Sequence, residues 1–391
     1  MRLKDVSILN PQYKRDNLDC DVSFVPMESL RNGSIDYQEI TFSEGKSKYT
    51  YFQDGDLLVA KVTPCFENGN IAIANNMKHG IGFGSSEIFV LRMNKGILNT
   101  YMFYITQTGK FQGEACATMC GVGGLKRISP LFMRTYELEI PSLPKQQRIV
   151  DYLDEKLSAI DHRVEILEKQ KDTYARLKKS IIHQAVTRGL NPDVPLKDSG
   201  IKWIGMIPYK WNTRRFKNVF NKSNVGESID KEYNSDNLED ILFYTAGLNP
   251  IHSTFVDFPQ WKLTNSRDIL LARNGTPYVY LPICNSIYSD HIIRVDIRKE
   301  YCKEYVKYCL QEAISNVIVD SVSIATWSIS VWEKQVIPTP PLSEQKAIAK
   351  YLDEKCSKIE AAIENINKQI DASKRLKRAL INEVITGQRA V

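Results

Sequence analysis

A glycine-rich segment that ends in two cations is the first part of this 391-residue sequence that could do chemistry. It reads Gly-Val-Gly-Gly-Leu-Lys-Arg and ends at Arg127. Gly121, Gly123 and Gly124 would let backbone N–H groups approach a phosphate closely. Lys126 and Arg127 would place positive charge beside that phosphate. We therefore predict a DNA-binding loop here, and a flexible turn is the alternative.

Two predicted strands end in a basic residue at matching places in the two halves of the chain. Lys61 ends the run Asp-Leu-Leu-Val-Ala-Lys, and Arg273 ends the run Asp-Ile-Leu-Leu-Ala-Arg. Asn274 follows Arg273 at an Asn-Gly turn. Arg and Asn side chains can bind guanine and adenine edges with two hydrogen bonds, so we predict DNA contacts at all three residues. The alternative is that they are solvated surface side chains.

Complete catalytic motifs are absent from the sequence. Gly45-Lys46-Ser47 ends like a phosphate-binding loop, but residue 40 is isoleucine where that loop needs glycine. The segments Asp154–Lys156 and Asp353–Lys355 have the residue types of a metal-dependent nuclease. They lie within a heptad pattern, so we expect solvated helix faces instead. Five scattered histidines and the absence of a Cys-x-x-Cys pair predict no metal site. We therefore predict no catalytic residues.

Composition favours a reduced, cytoplasmic protein. The formal net charge is +6 and the isoelectric point is near 8.7, which is compatible with an acidic polymer as partner. No apolar run approaches the ~18 residues of a membrane-spanning helix, and residues 1–5, which include Arg2, Lys4 and Asp5, form no apolar signal core. The 8 cysteines are too sparse for a disulfide framework. We expect no membrane association.

The chain is internally duplicated. Residues 141–187 repeat at 340–386 with an offset of 199, and 20 of the 47 positions are identical. Both copies contain Tyr-Leu-Asp-Glu-Lys after a proline-containing start. The segments before them correspond more loosely, as the runs that end at Lys61 and Arg273 illustrate. A repeat of this length indicates a duplicated domain, not a solenoid unit.

Each repeated segment has a heptad seam with alternating spacings of four and three residues. The first seam comprises Leu153, Leu157, Ile160, Val164, Leu167, Lys171, Tyr174 and Ile181. The second comprises Leu352, Cys356, Ile359, Ile363, Ile366, Ile370, Leu380 and Val384. We predict two long helices that cover each other's apolar stripes in antiparallel pairing. The alternative is that each helix packs on its own globular domain. The residues assigned to helix pairing or to a partner interface are Tyr152, Leu153, Ile160, Tyr351, Leu352 and Ile359.

The remaining segments predict mixed α/β structure. Short β-branched and aromatic runs bounded by Gly, Asn, Asp and Ser predict strands at Asp56–Val62, Glu87–Arg92, Asp268–Arg273 and His291–Ile297. Short helices are predicted at Asn99–Thr106 and Lys303–Ile314. The predicted fold is therefore α+β, with two mixed α/β domains separated by two long antiparallel coiled-coil helices in a pseudo-twofold arrangement. The predicted boundaries are residues 1–140, 141–190, 191–339 and 340–391.

The duplicated helices, taken with three other motifs, resemble the specificity subunit of a type I restriction–modification system. The other motifs are Asp198–Trp211, Asp56–Asn70 with its segment Thr63–Gly69, and the loop that ends at Arg127. The resemblance covers essentially the whole chain, although the first half has no counterpart of the segment from Trp203 to Trp211.

The resemblance implies a function, partners and cofactors. Each mixed domain, 1–140 and 191–339, would be a target recognition domain that reads one half of a bipartite site in double-stranded DNA. The spacer helices at 141–190 and 340–391 would dock two methyltransferase subunits, with restriction subunits joining them. The chain itself would bind no cofactor, and S-adenosylmethionine, ATP and Mg²⁺ would belong to the partner subunits. Two other functions stay open, a stand-alone DNA-modifying enzyme and a cytosolic coiled-coil adaptor.

Overall fold

The computed structural model describes residues 1–14, 18–121, 124–317 and 326–391. They form two compact units, which are described separately below. Unit 1 comprises residues 1–168 and 367–391, and unit 2 comprises residues 169–366. Both units combine helices with short strands, so the fold is α+β as predicted. The cuts between the units fall within the two long helices, and the boundaries predicted at 140, 190 and 339 stay predictions.

Unit 1 contains two four-stranded sheets and a set of helices. The strands are β1 (Ser7–Leu9), β2 (Asp21–Val25), β3 (Gln38–Thr41), β4 (Thr50–Gln53), β5 (Leu57–Ala60), β6 (Ile71–Ile73), β7 (Ile81–Gly84) and β8 (Ile88–Met93). The helices are α1 (Leu3–Val6), α2 (Phe42–Lys48), α3 (Asn99–Thr106), α4 (Gly109–Ala117), α5 (Phe132–Thr135) and the long α6 (Leu143–Arg188), which continues into unit 2. One sheet has the antiparallel order β1-β8-β5-β6. The other has the order β3-β2-β7-β4, in which β2 and β7 are parallel.

Unit 2 contains an antiparallel sheet like that of unit 1 and has more strands in addition. Its strands are β9 (Leu196–Asp198), β10 (Met206–Pro208), β11 (Asn212–Arg215), β12 (Phe220–Val225), β13 (Asn234–Ser235), β14 (Ile241–Tyr244), β15 (Ile251–Ser253), β16 (Asp268–Ala272), β17 (Val279–Tyr280), β18 (Ile287–Tyr288), β19 (Ile292–Ile297) and β20 (Val336–Thr339). Its helices are α7 (Lys303–Ser315), α8 (Ile329–Glu333) and the long α9 (Leu342–Ile385), which continues into unit 1. The order β12-β19-β16-β17 matches β1-β8-β5-β6 of unit 1. The predicted short strands and helices are thereby confirmed.

An ion pair with a buried carboxylate fixes the central strand pair in each unit. In unit 1, the Nε and Nη2 atoms of Arg92 donate to both carboxylate oxygens of Asp56, at 2.8 and 2.7 Å. In unit 2, Arg294 Nε lies 2.7 Å from Asp268 Oδ2, and both residues are buried. Burial raises the pKa of Asp268. A buried carboxylate needs such a partner, so each pair constrains how its two strands align.

Both long helices begin after prolines and end at a left-handed glycine. Gly189, which follows α6, has a φ of +76°, a conformation that a side chain would strain. A Cβ there would also lie 3.0 Å from the buried Trp211 ring. Gly387, which follows α9, has a φ of +75°. The same stop signal therefore ends both copies of the helix.

The two long helices pair in an antiparallel way. In unit 1, Asp161 near the start of α6 accepts from Lys377 near the end of α9, at 2.7 Å. In unit 2, Glu360 in the first part of α9 accepts from Lys178 in the last part of α6, at 2.5 Å. Asp161 and Glu360, like Lys178 and Lys377, are equivalent positions of the duplication. The two copies of the helix thus make the same ion pair with each other.

The helices also pack on the globular parts, so both packing modes considered for them occur. In unit 1, Leu153 and Leu157 of α6 and Leu380 of α9 belong to one core cluster together with strand residues. In unit 2, Leu352 of α9 and Val186 of α6 do the same. The first predicted seam is incomplete. Lys171 and Tyr174 are exposed, Tyr174 by 37%, and this middle part of α6 covers less apolar surface than the pattern predicts.

A fully buried glutamine joins each long helix to its globular part. In unit 1, Gln146 Oε1 accepts from the backbone N–H of Leu98, and its Nε2 donates to the carbonyls of Gly96 and Pro141. In unit 2, Gln345 accepts from the N–H of Cys302 and donates to the carbonyl of Pro340. All these bonds measure between 2.8 and 3.0 Å. The glutamine thus accepts from the residue that precedes α3 in unit 1 and from the residue that precedes α7 in unit 2.

The buried glutamine gives a test of this anchor. Gln146→Ala leaves the N–H of Leu98 without its buried acceptor, so we expect a loss of about 1–3 kcal/mol in the free energy of unfolding. The neighbouring Gln147 is exposed. Gln147→Ala should therefore change stability by less than about 0.5 kcal/mol. Urea denaturation followed by circular dichroism measures both variants. Equal effects of the two substitutions would contradict the anchoring role.

Candidate nucleic-acid interface

Polar and charged side chains of unit 1 lie together where strand β5 ends and strand β8 begins. Lys61 follows β5 directly, and Glu87 directly precedes β8. Because the two strands are antiparallel, with Ala60 opposite Ile88, the end of one lies beside the start of the other. The N–H of Lys61 donates to the carbonyl of Glu87 at 2.8 Å. The N–H of Ile128 donates to the carbonyl of Lys61 at 2.9 Å, which adds the end of the glycine-rich loop.

We call Lys61, Glu87, Lys126 and Arg127 the first strand-end cluster. Arg127 donates from Nε and Nη2 to the two carboxylate oxygens of Glu87, both at 2.9 Å. This hydrogen-bonded pair lowers the pKa of Glu87. The Arg127 side chain is 51% exposed, so solvent or a ligand can approach it. The pair therefore orients Arg127 without burying it.

The two lysines of the cluster have different surroundings. The ammonium of Lys61 donates to the carbonyl of Ser86 at 2.6 Å and lies 4.6 Å from the centre of the Phe89 ring. Desolvation lowers the pKa of Lys61. The side chain of Lys126 is exposed, while its backbone N–H donates to Thr63 Oγ1 at 3.0 Å. Lys126 thus extends from a fixed backbone into solvent, which suits a phosphate contact.

The described glycines of the loop are required by its backbone. A Cβ at Gly121 would lie 2.1 Å from the carbonyl oxygen of Leu125, a distance that a side chain cannot adopt. Gly124 has a φ of +83°, and its carbonyl accepts from Thr63 Oγ1 at 2.9 Å. Gly123 lies outside the described residues. Gly121 therefore lies against Leu125, and the last residues of the loop are fixed against the end of β5.

Unit 2 builds an equivalent second strand-end cluster from Arg273, Asn274 and His291. The N–H of Arg273 donates to the carbonyl of His291 at 2.8 Å, and Arg273 O accepts from the N–H of Trp327 at 2.6 Å. Arg273 Nη1 donates to the carbonyl of Asp290 at 3.3 Å. Asn274 Nδ2 lies 2.8 Å from His291 Nδ1. These contacts place Arg273 and His291 where unit 1 has Lys61 and Glu87.

The sequence identified the cations of both clusters but not two of their members. The strand patterns predict Glu87 and His291 only as the first residues of strands. Their role depends on the antiparallel pairing that brings them to Lys61 and Arg273. The pairing of equivalent strands in the two halves was the one signal that could have identified them. The hydroxyl-rich residues 321–325, compared with the glycine-rich loop, lie outside the described residues.

The residues assigned to helix pairing or to a partner interface lie on or beside the core clusters. Leu153 and Leu352 are completely buried, Ile359 is 7% exposed, and Ile160, Tyr152 and Tyr351 are half-buried. The nearby acids have structural partners. Asp154 accepts from the hydroxyl of Tyr104, and Asp353 accepts from the hydroxyl of Tyr308 at 2.7 Å. Burial raises the pKa of each tyrosine, and the neighbouring carboxylate raises that pKa further.

The described residues hold no cluster of metal ligands. In that part of the chain, no group of three or more His, Cys, Asp or Glu side chains could hold a metal ion. Within the same ranges, no helix combines the length and the apolar character that crossing a membrane requires.

Sequence comparisons identify relatives of one kind. A family model described as the type I restriction modification DNA specificity domain matches residues 1–173 and 208–372. The EcoAI specificity subunit of Escherichia coli is 28% identical over 184 residues, which are 46% of this chain and 31% of that protein. The EcoEI specificity subunit of the same species is 32% identical over 38% of this chain and 26% of its own length. The match thus spans less than a third of each of these two relatives. The MjaVIII specificity subunit of Methanocaldococcus jannaschii is 22% identical over 78% of this chain and 77% of that protein.

Two solved structures share the fold. One is a chain from a study of complex assembly and conformational transition in the type I R-M system. It has a TM-score of 0.74 at 17% identity and covers 98% of this chain and 96% of its own. The other is the HsdS subunit of Thermoanaerobacter tengcongensis, with a TM-score of 0.53 at 18% identity. It covers 100% of this chain and 96% of that one. At these identities the similarity establishes the fold.

The Glu87–Arg127 pair can be tested by pH titration. Arg127→Gln removes the donor that stabilises the carboxylate, so the pKa of Glu87 should rise toward its ordinary value. In the unchanged protein the pair persists at neutral pH and is lost only as the pH falls through the lowered pKa. Lys126→Gln removes a neighbouring cation that does not bond to Glu87, and it should leave that pKa low. NMR titration of carbon-13-labelled glutamate measures the shift. An identical Glu87 pKa in the Arg127→Gln variant would show that the pair does not form in solution.

Proposed function

The chain belongs to the type I restriction modification DNA specificity family, and we propose that it is the DNA-recognition subunit of such a system, without catalysis of its own. The observation that carries the proposal is the pair of strand-end clusters. Equivalent backbone positions in the two units hold different polar side chains, Lys61 and Glu87 in one and Arg273 and His291 in the other. A duplicated scaffold with unlike side chains at one site is what two unlike half-sites require.

We propose that each unit binds one half of a bipartite target in double-stranded DNA. Exposed Lys126 would contact a phosphate and fix the register of unit 1 on the duplex. Arg127 in unit 1 and Asn274 in unit 2 would contact base edges, because their side chains can form two hydrogen bonds at once. The net charge of +6 favours association with the polyanion. The target would be asymmetric, since the two clusters differ.

The proposed partners are two methyltransferase subunits, which would dock on the long helices, and restriction subunits, which would join them. The duplication supports this, because the two copies of the helix present matching surfaces. Leu177 and Leu376 are equivalent positions within identical Arg-Leu-Lys segments, and both are exposed, by 46% and 55%. Two like surfaces suit two copies of one partner. S-adenosylmethionine, ATP and Mg²⁺ would bind to these partners and not to this chain, and the assembly would work in the cytoplasm.

Genome methylation mapping tests the proposed function directly. Cells that carry the chain and its methyltransferase partner should contain adenine methylation at one bipartite motif, with two unlike half-sites and a fixed spacing. The motif should disappear when the chain alone is deleted, because the methyltransferase then lacks its DNA reader. The same methylation pattern with and without the chain would contradict the proposal.

Salt dependence distinguishes a DNA reader from a coiled-coil adaptor that binds only proteins. Each phosphate contact releases counterions, so the logarithm of the affinity falls linearly with the logarithm of salt concentration. Lys126→Gln in the assembled complex should weaken binding to all DNA sequences alike and reduce that slope by about 1. Lys95→Gln, which removes an exposed lysine beyond the other end of β8, is the matched control and should change neither. Binding that is weak and independent of salt would favour the adaptor.

A further inference from the structure

Among the described residues, only Glu87 bonds to the guanidinium of Arg127, and it does so along one side of the group. A guanidinium has five N–H groups, which form one fork along its side and another at its end. Glu87 occupies the side fork, which consists of Nε and one N–H of Nη2. The end fork consists of the other Nη2 hydrogen and one Nη1 hydrogen. It is not engaged by Glu87, and the side chain is half exposed. The exposed fork therefore presents two parallel donors.

We infer that Arg127, held in place by Glu87, binds O6 and N7 of one guanine in the half-site that unit 1 contacts. This inference rests on the proposed function. Two parallel N–H donors match the two acceptors of guanine in the major groove, and no other base presents that pair. Arg127 is the contact residue, and Glu87 is a positioning residue that acts through it.

A phosphate would also accept from this fork, but the charge balance favours a base. The Glu87 carboxylate neutralises the guanidinium, and its lowered pKa keeps it ionised at neutral pH. A phosphate that approached the fork would meet a nearly neutral pair with a carboxylate close behind it. The Arg127–Glu87 pair therefore presents hydrogen-bond donors in a fixed direction but little net charge. Direction discriminates between bases, whereas net charge attracts phosphates of any sequence.

The backbone of Arg127 is fixed on both sides, which limits how far the fork can move. Its N–H donates to the carbonyl of Cys120 at 2.9 Å, and its carbonyl accepts from the N–H of Cys120 at 3.1 Å. Val62 lies opposite Arg127 in an isolated β-bridge, and the next residue, Ile128, is bonded to Lys61. The guanidinium is thus held at its base by a short ladder and at its side by Glu87. A donor pair held in this way loses little entropy when it binds.

Unit 2 has a different side chain at the position of Arg127, while the backbone pairing around that position is the same. Thr326, which lies opposite Asn274 in an isolated bridge, occupies the place of Arg127. His291 occupies the place of Glu87, and its ring contacts Asn274 instead. Unit 2 therefore has neither the guanidinium nor the carboxylate at these two places. The proposed guanine contact belongs to unit 1 alone and would help to make the two half-sites different.

The test measures binding of the assembled complex to its mapped target and to the same target with each guanine replaced in turn by 7-deazaguanine, which lacks N7. For the unchanged protein, one replacement in one half-site should reduce affinity by about 5- to 150-fold. Arg127→Gln should reduce affinity for the unmodified target within that range and should lose sensitivity to that one replacement. Glu87→Gln should show the same change of base preference to a smaller degree. Base preferences in the other half-site should be unchanged in both variants, which shows that they fold and assemble.

The possible failures are separable. An unchanged protein with no sequence preference would overturn the proposed function and this inference together. A clear bipartite preference that Arg127→Gln leaves intact would overturn the inference alone. Uniform weakening on every sequence, with the deaza-sensitivity retained, would identify Arg127 as a phosphate contact and would also overturn it. Lys126→Gln is the matched control, since it should weaken binding uniformly and retain the sensitivity to 7-deazaguanine.

Discussion

The structure depends on one constraint at the start of both long helices. The side-chain amide of a buried glutamine there must satisfy its hydrogen bonds within the protein. Gln146 and Gln345 do so with the backbone just before α3 and α7 and with the proline carbonyl that precedes each long helix. The tyrosine–carboxylate bonds two turns further along, to Asp154 and Asp353, add a second attachment. Each globular part is therefore joined to its long helix at two places, and the same two places recur in both copies.

Within this frame, the two units differ where the chemistry of recognition would lie. The strand pairs β5–β8 and β16–β19 have the same register and are each fixed by an arginine that pairs with a buried aspartate. The residues at their ends differ in charge and in hydrogen-bonding pattern. The buried residues of the scaffold stabilise the fold. The exposed side chains at its edge can therefore differ between the two units without loss of that stability. This separation is what the proposed binding of two unlike half-sites requires.

The sequence predicted what local patterns determine. Hydrophobic periods predicted the long helices, short apolar runs predicted the central strands, and the Asp161–Lys377 and Glu360–Lys178 bonds confirm the antiparallel pairing that we preferred for the helices. It did not predict what long-range pairing determines. Nothing local marks Glu87 as the partner of Arg127, because 40 residues separate them. The parallel pairing of β2 with β7 and the exposure of Tyr174 likewise depend on the folded neighbours. The DNA contacts themselves stay predictions.

The central claim is that the two strand-end clusters are the sites at which this chain contacts bases. A structure of the assembled complex on its own target DNA tests it most directly. The account predicts that the first cluster lies in the major groove of one half-site and the second cluster in that of the other, each within hydrogen-bonding distance of base edges. A complex in which the DNA follows other surfaces, with both clusters facing solvent or protein, would contradict the account.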